Sequence, residues 1–166
     1  MIIDHGEVDF HHPRRDKQHG RIWRLRAKDS PLLPRPQLAD ADVRTLLDAL
    51  RVPEMWTRDQ ARRLLREKGA QAVMPELRQW VDSESLTDHD RLEALWVCQG
   101  LRVVEPSLLE NNLDCDNPRV RAAAVRVLSD WYGRIPDSMK RLADAVADEH
   151  SQVRLEAINA LRHVGT

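Results

Sequence analysis

Between Asn117 and Leu128 the apolar residues return at helical spacing behind a start signal, because Asn117 can cap a helix and Pro118 fits its first turn. The frame Val-Arg-x-x-Ala-x-x-x-Leu that begins at Val120 recurs at Val153, and weaker copies run from Arg58 to Leu65 and from Arg91 to Cys98. The alanines Ala61, Ala94, Ala124 and Ala157 stand 33, 30 and 33 residues apart. Arg58, Arg91, Arg121 and Arg154 lie three residues before them, and Leu65, Cys98, Leu128 and Leu161 four after, so one helical face carries all three columns. A period near 30 residues predicts stacked helix pairs, the methyl side chain allowing two helices of adjacent repeats to approach closely.

Each repeated helix is preceded by another, short in the first and third pairs. Asp40 or Asp42 can cap the first, with Val43, Leu46, Leu47 and Leu50 as its stripe, and Thr57 is the expected cap of its partner, which Gly69 stops. Val73, Leu77, Trp80 and Val81 form the next stripe, with Pro75 expected in its first turn, and Asp88 begins the helix after it. Leu108, Leu109 and Leu113 follow Pro106 in the third pair. In the fourth, Asp137 is the expected cap of a helix carrying Met139, Leu142, Ala143 and Val146, and the last helix runs to Gly165. Its Leu155, Ile158, Leu161 and Val164 are expected to leave apolar surface at that end of the array.

Residues 1–36 read differently. Arg21-Ile22-Trp23-Arg24-Leu25 alternates as a β-strand would, and Ser30-Pro31-Leu32-Leu33-Pro34-Arg35-Pro36 reads as an extended linker. A lone strand offers an edge for association, so the organisation expected is an irregular arm over 1–36 and a helical-repeat domain over 37–166.

Composition narrows the class. The chain has 166 residues, 42% hydrophobic and 32% charged, which fits one surface-rich helical domain, and no apolar run is long enough for a membrane span. No basic and apolar secretory leader follows Met1. Formal charge is −1, with eight Lys or Arg against five Asp or Glu in residues 1–35 and 18 against 22 in the remainder. The repeat region is therefore slightly acidic, which disfavours nucleic acid as the partner.

The Val-Arg-x-x-Ala frame with an upstream acid, Asp116 before Arg121 and Asp148 before Arg154, resembles the HEAT family in its short bacterial form over residues 40–165. The resemblance implies an all-α, right-handed superhelix of about four helix pairs acting as a scaffold for a protein partner, with the longer helices on a concave face. A second resemblance lies at His5-Gly6-Glu7-Val8-Asp9-Phe10, Pro13-Arg14-Arg15-Asp16 and His19-Gly20-Arg21-Ile22-Trp23-Arg24, which look like the end of a β-propeller in bacterial membrane-bound dehydrogenase-like proteins. There a c-type haem module follows HEAT-like repeats. That resemblance implies a spacer segment in the cell envelope or periplasm. The haem motif Cys-x-x-Cys-His is absent, so no cofactor is implied for this chain. A nucleic-acid-binding HEAT protein is the third reading.

Candidate chemistry is sparse. His5, His11, His12 and His19 lack the spacing of metal ligands, Cys98 occupies a leucine column, and Cys115 stands between Asp114 and Asp116, so no catalytic, cofactor or metal residue is expected. The arginine column Arg58, Arg91, Arg121 and Arg154, with Asp116 and Asp148, is expected to form a structural ladder of ion pairs and turn-carbonyl bonds. Arg62, Arg63, Arg66, Arg119, Arg126 and Arg162 vary in position between repeats and are the candidate partner-binding charges.

Overall fold

A computed structural model describes residues 11–13, 18, 20, 25, 28–29, 34–83 and 85–164. The chain divides into two compact units, Met1–Arg35 and Pro36–Thr166. Of the first unit, His11, His12 and Leu25 are exposed. The expected strand lies outside the described residues apart from Leu25, as do most residues of the propeller resemblance.

The second unit is all-helical and HEAT-like among its described residues, with eight α-helices in four pairs: α1 (Val43–Asp48) and α2 (Met55–Lys68), α3 (Ala70–Val81) and α4 (Asp88–Gly100), α5 (Pro106–Leu113) and α6 (Pro118–Asp130), α7 (Ser138–Val146) and α8 (Ser151–Val164). A short 3-10 turn, Ala49–Arg51, extends α1. Several helix starts follow local side-chain chemistry. Asp42 accepts from the Thr45 amide at the head of α1, Thr87 and Asp90 form a reciprocal capping box at α4, and Asn117 accepts from the Arg119 amide ahead of Pro118.

Three local expectations are corrected. Helix α2 begins at Met55, so Thr57 lies inside it and is buried; Pro53 holds Val52 extended at ψ 149°, and the chain turns helical directly afterwards. Helix α3 begins right after Gly69, whose φ of 82° ends one helix and redirects the chain into the next, which places Pro75 in the helix interior. Pro75 and Gln71 are both exposed, so water can reach the carbonyl that proline leaves without a donor. Asp137 holds the cap position of α7 in a left-handed conformation without a side-chain capping bond.

Packing follows the columns. Ala61, Ala94, Ala124 and Ala157 are each 0% exposed, and Leu65, Cys98 and Leu128 are fully buried beside them. Helix α2 packs on α4, α4 on α6 and α6 on α8. In the C-terminal half this even-helix stacking is the closest packing of the unit, and α5 and α7 are held mainly through their own even partners. Trp80 and Trp131 fill core volume, the Trp80 indole donating to Asp48 across α1 and α3 at 2.9 Å. On α8, Leu155 and Ile158 are exposed whereas Leu161 and Val164 are partly buried, so the expected apolar end surface is narrower than its sequence implied.

Candidate interaction surface

The arginine column makes one recurring contact. In each repeat an arginine near the start of the even helix reaches back to the turn before it. Arg58 donates Nη1 to the carbonyls of Val52 and Pro53, Arg121 to those of Cys115 and Asp116, and Arg154 to those of Asp148 and Glu149, all at 2.8–3.0 Å. Arg91 reaches one turn carbonyl, that of Leu86, and the neighbouring Ser85 carbonyl accepts from Arg51 of the preceding repeat. These turn carbonyls have no helical donor, and a cationic, forked donor satisfies two at once.

The acids of this column pair differently from the sequence expectation. Asp148 turns its carboxylate to Arg121 of the preceding repeat, in a bidentate pair at 2.9 and 3.0 Å, and offers Arg154 only its backbone. Hydrogen bonding from Arg121 holds the Asp148 carboxyl below its usual range, helped by the His150 amide and opposed by partial desolvation. Asp116 contributes its carbonyl and no carboxylate pair. The reason lies in the turn: Cys115 occupies in repeat three the place of Asp148 in repeat four, its Sγ accepting from the Asn117 amide as Asp148 Oδ1 accepts from that of His150.

Two glutamates form a column that sequence reading missed. Glu93 and Glu156 each stand immediately before a column alanine, and each meets arginine from the preceding even helix. Arg126 pairs with Glu156, lowering that carboxyl. Glu93 is 1% exposed, 3.3 Å from Arg58 Nε and 3.2 Å from Arg62 Nε. Those contacts lack hydrogen-bond angles, leaving both Nε atoms and Glu93 Oε2 without a hydrogen-bond partner. Desolvation therefore raises the Glu93 carboxyl above its ordinary value despite the opposing charges of Arg62, His89 and Arg58.

An open groove of about 500 Å³ lies where α2 meets α4, lined by Asp59, Arg62, Arg66, Trp96, Val97, Gln99 and Gly100. Its origin is visible in the columns. The positions two before and one after the alanine carry Leu92 and Leu95 in α4 and Ala122 and Val125 in α6, all buried. In α2 the same positions are Asp59 and Arg62, and the joint is not filled with apolar side chains. Arg62 stacks over the Trp96 ring, 5.4 Å from its centroid, and pairs with Asp59 at 3.0 Å. Arg66 is exposed and has no ion-pair or hydrogen-bond partner among the described residues. Its stem crosses Gly100 so closely that a Cβ there would come within 2.9 Å of Arg66 Cδ.

The six candidate partner-binding arginines thus separate. Arg62 and Arg66 share the groove; Arg63 is engaged by Gln60 and Glu67 on its own helix, and Arg126 by Glu156. Arg119 and Arg162 are exposed and apart from the groove. Gln99 extends the polar face by bonding Asp130 of α6. Cys98 is buried with its thiol pushed up to about 12 by desolvation, and burial also raises Cys115. No cluster of three metal-binding side chains occurs among the described residues, and His5 and His19 lie outside them. No described helix is long and apolar enough to cross a membrane.

No curated protein and no solved structure matches the chain. A family model described as HEAT repeats matches residues 105–166, the segment that holds α5 to α8 and the strongest copies of the Val-Arg-x-x-Ala frame, and it supports a HEAT-like repeat protein.

Proposed function

We propose that this chain is a non-catalytic scaffold whose even-numbered helices present a polar face to a protein partner. The observation that carries the reading is the groove between α2 and α4, where Asp59 and Arg62 stand in place of the apolar pair found in later repeats and Arg66 and Trp96 line the opening. Successive even helices bring Trp96 and Gln99, then Arg126 and Asp130, then Glu156 into line with it. Cations and carboxylates alternate along this line, an arrangement suited to a polypeptide of mixed charge and unfavourable for a continuous polyanion such as nucleic acid.

Site-directed photo-crosslinking in the source cells tests the assignment of the face. Benzoylphenylalanine in place of Gln99 or Arg126 is expected to form defined protein adducts, and the same group in place of Lys140 on α7 is not. Adducts from position 140 alone, or from none of the three, would overturn it.

A further inference from the structure

Building on that reading, we infer that the α2–α4 groove is a carboxylate-recognition site that takes an Asp or Glu side chain of an acidic peptide segment in the partner.

The charge balance of the groove points to an anion. Three charged side chains line this joint, Asp59, Arg62 and Arg66, which leaves a net positive charge, and the two arginines are unequal in their engagement. Arg62 is committed to Asp59 and Glu93 and stands over the Trp96 ring. Arg66 is uncommitted, standing on the same wall one helical turn further along. A guanidinium with no acceptor among the described residues, beside an aromatic side chain and an open volume, offers the forked donor geometry that a carboxylate fits.

The size and surroundings of the groove favour a peptide side chain over a longer polyanion. Asp59 lines the groove and Asp130 bonds Gln99 at its far side, so negative charge flanks Arg66. A single carboxylate on a flexible segment reaches Arg66 and keeps its neighbours clear of Asp59 and Asp130. A phosphodiester chain brings a charge at every residue and meets both. The half-buried Trp96, beside the Arg62 that stands over it, and Val97 add apolar surface to the groove wall for the methylene stem of glutamate. Gly100 completes the site: the absence of a side chain there lets the Arg66 stem lie against α4, which aims its head at the groove.

Fluorescence anisotropy on the full chain tests this with three labelled probes at low salt: a (Glu-Gly)₆ peptide, a (Gln-Gly)₆ peptide and a single-stranded dodecanucleotide. The glutamate peptide is expected to bind at least about tenfold more tightly than the glutamine peptide, a step of about 1.4 kcal/mol. Arg66→Glu is expected to abolish that preference, and Arg119→Glu, the same charge change on an exposed arginine outside the groove, to alter it less than about twofold. Gly100→Ala, which keeps every charge and only displaces the Arg66 stem, is expected to weaken glutamate-peptide binding with the helical circular dichroism unchanged. The inference fails if the two peptides bind alike or not at all, if Arg119→Glu costs as much as Arg66→Glu, or if the oligonucleotide binds more tightly through Arg66. Photo-adducts at positions 99 and 126 that survive Arg66→Glu would leave the scaffold reading standing without this site.

Discussion

The Arg121–Asp148 pair joins the third repeat to the fourth, and its strength follows from its geometry. Two parallel bonds at 2.9 and 3.0 Å connect side chains that are 12% and 15% exposed. An exposed pair is worth about 0.2–1 kcal/mol and breaking a fully buried one costs about 3–5, so a nearly buried bidentate pair at the rim of the core has an expected coupling of about 1–2 kcal/mol. Arg121→Ala also frees the Cys115 and Asp116 carbonyls, adding about 1 kcal/mol each. The single variant should lose about 3–4 kcal/mol, or about 12–16 °C in Tm at about 4 °C per kcal/mol for a domain of this size. Urea denaturation of Arg121→Ala, Asp148→Ala and the double variant isolates the coupling. Because Asp148 is depressed by its partner, the coupling is fully present above the unfolded carboxyl value of 3.8 and is lost as pH falls through the lower folded value. A coupling under about 0.5 kcal/mol at pH 7, or one equally large at pH 2, would refute this account of the joint.

Glu93 works in the opposite direction. Its carboxyl is raised by burial, so the folded state loses stability as pH rises from 4.5 through the raised value; Glu93→Gln should gain ground on the wild type between pH 4 and pH 7, and a variant that falls further behind over that range would contradict the desolvation argument. Cys98, buried with its thiol near 12, should resist alkylation at pH 8 until urea unfolds the chain, whereas labelling of Cys98 in native protein within minutes would mean that α4 opens readily. A chain beginning at Gln37 should keep its helical circular dichroism and lose little in Tm, since Pro36–Thr166 holds its own core, and a fall of more than about 8 °C would make residues 1–36 an integral part of the repeat domain.

The columns were legible because they repeat with a physical constraint attached. Ala61, Ala94, Ala124 and Ala157 could be found from spacing alone, and all four lie where no larger side chain fits without displacement. Helix starts were legible at Asp42 and Asn117, where a side chain does the capping, and Asp88 correctly marks the first residue of α4, although its cap, Thr87, was not read. They were missed where backbone geometry decides, as at Met55 behind Pro53 and at Ala70 behind Gly69. The arginine column was visible and the acids that answer its side chains were not, because the partner of Arg121 lies 27 residues downstream in the next repeat. Glu93 and Glu156 share a position relative to the alanine, a signal that a column-by-column reading of every site, including the polar ones, would have caught. The groove is harder still. It is an absence of leucine at two positions of α2, and its meaning emerges only against Leu92, Leu95, Ala122 and Val125 in the later helices.

The central claim is that the repeats stack through the alanine column, which sets every other side chain of the even helices on its face. Comparing Ala124→Leu with Ala123→Leu by urea denaturation tests it most directly, because the residues are adjacent, the chemical change is the same, and Ala124 is fully buried whereas Ala123 is only half-buried. Ala124→Leu should lose about 1–3 kcal/mol by overpacking the crossing of successive even helices, and clearly more than Ala123→Leu. Equal midpoints for the two variants would contradict the register on which the stack, the ladder and the groove all depend.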